Sequence, residues 1–236
     1  MPAVNKVPEL SLFLPAYNEA DNIKKTVLDA DKVLKKVARK YEILVIDDGS
    51  KDNTGAIVKS LIKKNKNVRL ITHKPNRGYG GAFKSGLYGA RYQLVSFIDS
   101  DGQFDYSEVT KFIPLLKDND LVIGYRIKRQ DNFFRVLNAN LWKLWMWFLF
   151  GLWVKDIDCA FKVIKKPVID SITLTTESAL TSAEFLIRVR QAGYKLAEVG
   201  VHHYPRTAGE QTGANPKVIL KAFAQSLRLW YHMNLS

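Results

Sequence analysis

Two aspartates stand two positions apart in the segment IDSDGQ, as Asp99 and Asp101, and Gln103 follows two positions later. Hard divalent cations prefer oxygen ligands, and Mg²⁺ commonly binds one or two carboxylates together with substrate phosphates. These three residues are therefore candidate ligands of a divalent cation. A turn with solvated acids has the same residue types, so the surrounding segments must decide between the two interpretations.

Other polar residues that could do chemistry follow short apolar runs. LPAYNE offers the ring of Tyr17 and the carboxylate of Glu19, and VIDDGSKDNT offers Asp48 immediately before a glycine. A carboxylate at this point suits contact with ribose hydroxyls or a base edge, although packing and helix capping explain parts of these segments more simply. The glycine-rich basic segment NRGYGGAFKSG lacks the P-loop spacing. It predicts a turn over a nucleotide, with Arg77 or Lys84 near phosphates.

These segments fall between predicted strands and helices. Near-continuous apolar runs predict strands, and apolar residues at helical spacing predict the helices between them. The predicted strands are residues 10–16, 41–48, 67–73, 92–101 and 120–126, and the predicted helices are residues 18–40, 52–64, 80–91 and 107–117. This alternation predicts an α/β fold with a mainly parallel sheet and helices on both faces. Ligands bind beyond the carboxyl ends of the strands in such sheets, which is where the polar clusters lie.

Bulk composition narrows the possible partners. The 236 residues carry a formal net charge of +13, which favours nucleic acid, phosphorylated ligands or an anionic membrane surface. Two acids flanking the candidate site repel phosphates unless a cation intervenes, so we rank a non-catalytic basic module below an enzyme and expect no nucleic-acid partner. Cys159 is the only cysteine, which excludes an intrachain disulfide and fits a reducing compartment. No signal peptide is evident, and we expect a cytoplasmic location.

Four of the five tryptophans lie in NANLWKLWMWFLFGLWVKD, residues 138–156. The apolar part of this block, residues 141–154, would extend about 21 Å as a helix, which is too short for a hydrocarbon core of about 30 Å. A buried core helix and a helix lying in the membrane interface are both open, since tryptophan favours that interface. The segment from Pro216 predicts a basic amphipathic helix, either interfacial or docked on the domain. We expect peripheral membrane association, with or without a separate membrane-anchoring partner.

The motifs LPAYNE, VIDDGSKDNT, NRGYGGA and IDSDGQ, in this order and at these intervals, resemble the family 2 glycosyltransferases with the GT-A (Rossmann-like) fold. Within that family the chain looks most like the dolichyl- or polyprenyl-phosphate sugar (mannose or glucose) synthases, since DIDCAFKVIKK and HHYPRTAGEQT resemble segments of that subgroup. The resemblance covers residues 8–217. It implies a GT-A catalytic domain over residues 1–210, which includes an interfacial aromatic helix at 136–155, and a C-terminal amphipathic helix over residues 211–236.

The resemblance also implies roles for individual residues. The metal ligands would be Asp99, Asp101 and Gln103, with Mg²⁺ or Mn²⁺ as the cofactor. Asp101, Arg126 and Arg135 would be catalytic, and the two arginines would also bind the acceptor phosphate. A larger set would bind the nucleotide-sugar: Pro15, Tyr17, Glu19, Ile46, Asp48, Asp99, Ser100, Asp101 and Arg206.

The implied reaction is an inverting, metal-dependent transfer of a hexose from a GDP- or UDP-sugar to a polyprenyl or dolichyl phosphate on the cytoplasmic membrane face, as in a dolichyl-phosphate mannosyltransferase. The acceptor phosphate is already ionised at neutral pH, so no strong general base is needed. A hydroxyl acceptor on a glycolipid or polysaccharide would need one, and Glu184 is a candidate whose helical spacing also fits a structural role. Three departures from the subgroup pattern are Ala160 for glycine, Ser100 for alanine and the absence of a lysine in RTAGEQT. The missing lysine leaves room for a sugar other than mannose.

Overall fold

The computed structural model describes residues 6–127, 133–206 and 216–234, except for the side chains of 133–139 and 216–221. The strands are β1 (Val7–Ala16), β2 (Ala38–Asp47), β3 (Val68–Thr72), β4 (Leu94–Phe97), β5 (Leu121–Ile127), β6 (Lys162–Lys165) and β7 (Leu196–His202). The α-helices are α1 (Ile23–Val37), α2 (Thr54–Lys64), α3 (Gly78–Gly89), α4 (Val109–Phe112), α5 (Phe133–Phe150), α6 (Lys166–Asp170), α7 (Thr181–Gln191) and α8 (Pro216–Asn234). Two 3-10 turns flank α4, at Tyr106–Glu108 and Ile113–Lys117.

The strands form one sheet in the order β3-β2-β1-β4-β6-β5-β7. β6 runs antiparallel to both of its neighbours, β4 and β5, and every other adjacent pair is parallel. The prediction of a mainly parallel sheet is therefore confirmed. Because β2, β1 and β4 are consecutive in the sheet, their carboxyl ends lie side by side, which is where ligands bind in sheets of this kind.

Hydrophobic cores cover both faces of the sheet. Side chains alternate along a strand, so Leu12 and Leu14 of β1 belong to one core while Phe13 belongs to the other. Helices α1, α2 and α4 close the first core, and α3, α6 and α7 close the second. The prediction of helices on both faces is thus also confirmed.

Several element boundaries differ from the prediction. α1 begins at Ile23 rather than at residue 18, because the chain first makes a turn in which Asn18 has a φ of 55°. β4 ends at Phe97, so the acids that follow it lie in a loop rather than in the strand. Strands β6 and β7 were not predicted, since β6 has four residues and β7 has no continuous apolar run.

The tryptophan-rich block forms most of α5, and α8 packs against it. Met146 of α5 is fully buried, and the indole Nε1 of Trp145 donates a hydrogen bond to Ser226 Oγ of α8 at 2.9 Å. The Phe223 ring of α8 lies edge-on to Trp142, with 5.2 Å between the ring centroids. One side of α5 therefore belongs to the core.

The opposite side of this helix pair is apolar and exposed. On α5 the exposed large side chains are Leu141, Leu144, Trp147 and Phe148, and on α8 they are Leu227, Trp230 and Tyr231. Phe148 is 72% exposed, and Trp153, just beyond the end of α5, is 61% exposed. The core interpretation therefore holds for one side of α5, while an interfacial role for the exposed side stays a prediction. Among the described residues, no helix has the length and apolar character needed to cross a bilayer.

Candidate active site

The loops after β1 and β2 are tied together by hydrogen bonds. The backbone N–H of Asn18 donates to Ser50 Oγ at 3.0 Å, and the N–H of Lys51 donates to Asn18 Oδ1 at 2.8 Å. Asn18 has the left-handed backbone that asparagine adopts more readily than most residues. The N–H of Glu19 donates to Thr54 Oγ1 at 2.8 Å. Two of the polar clusters identified in the sequence therefore form one rigid rim.

The turn after β4 is joined to the same rim. Ser100 Oγ donates to the carbonyl of Pro15 at 2.6 Å, and Thr26 Oγ1 donates to the carbonyl of Ser100 at 3.0 Å. Ser100 therefore makes a bond that the commoner alanine could not make. Of the residues predicted to bind the nucleotide-sugar, Pro15 and Ser100 use these atoms to position the neighbouring aspartates.

Asp99 and Asp101 are an electrostatically strained pair. Burial, reinforced by the negative charge of Asp101, raises the pKa of Asp99 to about 7, although Lys162 and Arg126 oppose the shift. A cation bound between the two carboxylates would relieve both the desolvation and the repulsion. The donor set therefore fits a divalent cation. In the described part of the chain no group of three or more His, Cys, Asp or Glu side chains is placed to hold a metal ion. Any further ligands of the cation would therefore be amide or carbonyl oxygens, water or substrate phosphates.

Gln103 and Arg206 complete this side of the site. Gln103 Nε2 donates to the carbonyl of Tyr204 at 2.9 Å, which leaves the amide oxygen of Gln103 as a possible cation ligand. This contact also holds the segment after β7, which carries Arg206. Arg206 Nη1 lies 3.8 Å from Asp101 Oδ2, and Arg206 Nη2 pairs with Glu19. Burial raises the pKa of Glu19, and its hydrogen bonds oppose that rise. Three predicted site residues are thus brought into contact.

Asp48 is held by a histidine that the sequence did not single out. Asp48 is 3% exposed, and its Oδ1 lies 2.6 Å from His73 Nδ1 and accepts the backbone N–H of Arg77 at 2.9 Å. The other ring nitrogen of His73 lies 2.9 Å from Ser85 Oγ of α3. This chain of contacts orients the Asp48 carboxylate at the end of β2. His73 follows β3 directly, and that position was its only sequence signal.

The remaining residues predicted to bind the nucleotide-sugar or the acceptor differ in how exposed their side chains are. Tyr17 is 40% exposed at the rim, so its side chain is accessible from solvent. The Ile46 side chain is fully buried in the core, and the role of this residue in binding the nucleotide-sugar stays a prediction. The helix α5 contains Arg135, but its side chain lies outside the described residues.

Arg126 is committed to an aspartate beside the site. Its Nε donates to Asp156 Oδ2 at 2.7 Å and its Nη2 to Asp156 Oδ1 at 2.9 Å, a bidentate fork between two largely buried groups. Burial alone would lower the pKa of Arg126, but the hydrogen bonds and charge of Asp156 outweigh it and raise the pKa. Arg126 is thus a cation whose position is fixed by Asp156.

Lys162 is a fully buried cation that the residue-level prediction also missed. Its Nζ donates to the carbonyl of Cys159, lies 3.3 Å from Ser182 Oγ and is 5.3 Å from the centroid of the Phe97 ring. Burial lowers the pKa of Lys162, and the negative charges around it, including Asp99, oppose that change. The only sequence feature that could have indicated this role was a lysine within the apolar strand β6. In the structure, Lys162 places a positive charge behind the carboxylate pair.

The glycine-rich segment packs closely on the start of α7. A Cβ on Gly80 would overlap Thr181 Oγ1 and the backbone at Ser178, so only glycine fits there. Arg77 and Lys84, which were predicted to lie near phosphates, both pair with Glu177, at 2.5 and 3.1 Å. Tyr79, in the first turn of α3, interacts with Asp99, so this segment runs along the edge of the carboxylate pair.

Glu184 has a structural role. It is fully buried, and its two oxygens accept hydrogen bonds from the backbone N–H and hydroxyl groups of Thr175 and Thr176 at 2.7–2.8 Å and from Arg188 Nε at 2.7 Å. Burial alone would raise the pKa of Glu184, but these bonds outweigh it and lower the pKa. A carboxylate with all of these donors is not available as a general base, so the structural interpretation is the one that holds.

Several curated relatives of this chain are dolichyl-phosphate beta-glucosyltransferases. The chain is 33% identical to a dolichyl-phosphate beta-glucosyltransferase of Dictyostelium discoideum over 214 residues, which is 82% of this chain and 65% of that protein. It is 30% identical to the dolichyl-phosphate beta-glucosyltransferase of Saccharomyces cerevisiae over 219 residues, 81% of this chain and 66% of the relative. The chain therefore spans about two thirds of the length of these proteins. Both relatives are named as glucosyltransferases, whereas the sequence predicted a mannosyltransferase-like enzyme.

Solved structures show the fold. Glucosyl-3-phosphoglycerate synthase from Mycobacterium tuberculosis, in a complex with Mn²⁺, uridine diphosphate and phosphoglyceric acid, superimposes with a TM-score of 0.69 at 17% identity, over 94% of this chain and 78% of that chain. The same enzyme with Mg²⁺ and uridine diphosphate gives a TM-score of 0.68 at 16% identity, over 94% of this chain and 79% of that one. This likeness confirms the predicted GT-A fold. The family model for glycosyl transferase family 2 matches residues 11–172. The chain belongs to glycosyl transferase family 2.

Proposed function

We propose that this protein transfers glucose from UDP-glucose to a polyprenyl or dolichyl phosphate, using a divalent cation, at a membrane surface. The observation that carries the proposal is the Asp99–Asp101 pair, two carboxyls that a cation would stabilise, in the loop after β4 at the sheet edge between Asp48 and Arg126. The names of the curated relatives support glucose and dolichyl phosphate. The uridine diphosphate bound by the structural neighbour supports the nucleotide.

Each group of residues has a distinct task in this reaction. Asp48 and the exposed ring of Tyr17 would hold the nucleoside, while Asp99, Asp101 and Gln103 would hold Mg²⁺ or Mn²⁺. When bound, the cation stabilises the negative charge that collects on the departing diphosphate. Arg206, from the segment after β7, lies where it can close the site over the donor.

The bond changes fit a direct displacement. An oxygen of the acceptor phosphate attacks the anomeric carbon as the bond to the diphosphate breaks, so the configuration inverts and the electron pair leaves with UDP. The phosphate is already ionised at neutral pH, so no carboxylate base is required. The engagement of Glu184 by five hydrogen-bond donors supports a phosphate acceptor over a hydroxyl acceptor.

The exposed apolar side of α5 and α8 supports a peripheral membrane contact. Contiguous exposed apolar surface of this kind marks an interaction site, and tryptophan suits the boundary between water and lipid. Replacing Trp147 and Phe148 with serine should abolish binding to lipid vesicles while the protein stays folded, because both side chains point outward. Replacing Trp145 should instead loosen α8, since that indole binds Ser226. Vesicle sedimentation and circular dichroism distinguish these two results.

A transfer assay tests the proposed function. The purified full chain is incubated with radiolabelled UDP-glucose, dolichyl phosphate and Mn²⁺, and label in the organic phase is counted against a GDP-mannose control. Asp101→Asn should reduce transfer by about 100-fold or more, as expected when a group that stabilises developing charge is lost. The exposed Asp118→Asn is the matched control and should change nothing. A wild-type protein that never labels the lipid, or an Asp101→Asn variant with full activity, would refute the proposal.

A further inference from the structure

Two lysines lie where the active site meets the exposed apolar side of α5. Lys143 of α5 holds its Nζ 5.2 Å from the centroid of the Trp153 ring, and Lys155 holds its Nζ 4.3 Å from the centroid of the Tyr125 ring. Cation–π contacts of this kind restrain an ammonium group without neutralising it. Within the described residues neither ammonium forms an ion pair with a carboxylate. Both positive charges therefore remain available to a ligand.

The two lysines line the same small pocket. Its other walls are formed by Asn140 and Trp142 of α5 and by residues 156–158 of the following loop. The backbone N–H of Lys155 donates to Glu198 Oε1 at 2.6 Å, which fixes this loop to β7. The pocket therefore has α5 on one side and a loop anchored to β7 on the other.

The charge balance in the pocket favours an anion. Asp156 is already neutralised by the two hydrogen bonds from Arg126, and Asp158 is exposed at the pocket wall and has a partner of its own. Lys143, Lys155 and Arg126 together place three cations against these two acids. Phosphate is the anion that the proposed reaction brings to this side of the site.

We propose that Lys143 and Lys155 bind the phosphate of the lipid acceptor, a phosphate monoester on an isoprenoid chain. This assignment rests on the proposed function and adds the residues that select its acceptor. Arg126 was expected to bind this phosphate, but most of its hydrogen-bonding capacity faces Asp156, so the lysines supply the uncommitted charge. Trp153 stands beside the pocket and is 61% exposed, which gives the isoprenoid chain an apolar path from the phosphate toward the membrane.

Direct binding of a short, water-soluble prenyl phosphate tests the assignment without membranes or donor. Lys143→Met and Lys155→Met keep most of each aliphatic stem but remove the charge, and Lys→Arg variants restore it. The control is the double variant Lys24→Met/Lys64→Met, which loses the same net charge from exposed faces of α1 and α2. Calorimetry should show affinity about 10-fold weaker for each lysine removed, near-normal affinity for the arginine variants, and no change in the control.

The outcomes separate the possible sources of phosphate. The anionic headgroups of a bilayer offer the same chemistry, so binding to phosphatidylglycerol and phosphatidylcholine vesicles is measured in parallel. The assignment is overturned if the double variant Lys143→Met/Lys155→Met binds prenyl phosphate as tightly as the wild type does. The same conclusion follows if the double variant loses only its binding to vesicles. A wild-type protein that binds prenyl phosphate through the lysines yet transfers no glucose would refute the proposed function. The assignment of the two lysines to phosphate binding would still hold.

Discussion

Replacing Asp99 with asparagine should stabilise the fold while it removes the cation site. Burial and the neighbouring Asp101 raise the pKa of Asp99 to about 7 from its ordinary value near 3.8. A carboxyl with a raised pKa contributes stability that is fully present below pH 3.8 and is lost as the pH rises through 7. Above pH 7 the wild-type protein therefore carries the whole cost of ionising a partly buried acid, and the asparagine variant does not.

The magnitude follows from the shift of the pKa. A pKa of about 7 in the folded protein, against the ordinary value near 3.8, sets an upper bound of about 4 kcal/mol above pH 7. Asp99 keeps some contact with solvent and is coupled to Asp101, which reduces the effect. We expect the variant to be more stable than the wild type by about 1–3 kcal/mol at pH 8, and by clearly less at pH 5.

Urea denaturation at pH 5 and pH 8 in the presence of a chelator measures this difference. Added Mn²⁺ should stabilise the wild type at pH 8 and have much less effect on the variant, because ligand binding to the folded state adds to stability. Asp118→Asn, on an exposed loop, is the control and should behave as the wild type at both pH values. An Asp99→Asn variant that is less stable than the wild type at pH 8, or a difference that does not change with pH, would refute the reasoning.

Three further predictions follow from buried contacts. His73→Phe should raise the KM for UDP-glucose about 10-fold with little change in kcat, because Asp48 loses a hydrogen bond of about 1.4 kcal/mol. His73→Asn should restore part of the lost affinity for UDP, measured by calorimetry. Glu184→Gln should lower the free energy of unfolding by about 3 kcal/mol, because a buried charge network loses its anion. Urea denaturation at neutral pH measures this, and an unchanged free energy of unfolding would contradict the prediction. Gly80→Ala should destabilise the protein by about 1–3 kcal/mol through overlap with Thr181, and an unchanged melting temperature would show that the segment can move aside.

Sequence patterns were sufficient to predict the site residues that directly follow a strand. Asp99, Asp101 and Asp48 each follow an apolar run, and parallel strands bring such ends to one edge whatever the details of the loops. The parallel half of the sheet was predictable for the same reason. The short antiparallel strand β6 was not, since its pairing with β4 and β5 depends on contacts distant in sequence.

Contacts between distant segments could not be derived from sequence patterns. Arg206 and Glu19 are 187 positions apart, and only the family resemblance placed them in one site. Lys162 and His73 act through burial and hydrogen bonds that no spacing rule reveals. Ile46 was assigned by resemblance alone, and the structure adds that its side chain lies wholly in the core.

The dual nature of the tryptophan-rich helix also needed the structure. Its composition fitted both a core helix and an interfacial helix, because one side of the helix packs in the core and the other side is apolar and exposed. Met146 lies in the core, whereas Phe148, two positions later, is among the most exposed apolar residues. Helical periodicity could have suggested this split, but α8, which covers part of the helix, could be placed only by tertiary contacts.

Chemical identification of the product tests the central claim most directly. The full chain is incubated with UDP-glucose, Mn²⁺ and a short prenyl phosphate, and the product is characterised by mass spectrometry and by NMR of the anomeric proton. The proposed displacement predicts a glucosyl phosphoprenol of β configuration from the α-linked donor, with UDP released in equal amount and about 100-fold or more less product from Asp101→Asn. Free glucose alone, an α-linked product or glucose on a hydroxyl group would contradict the account.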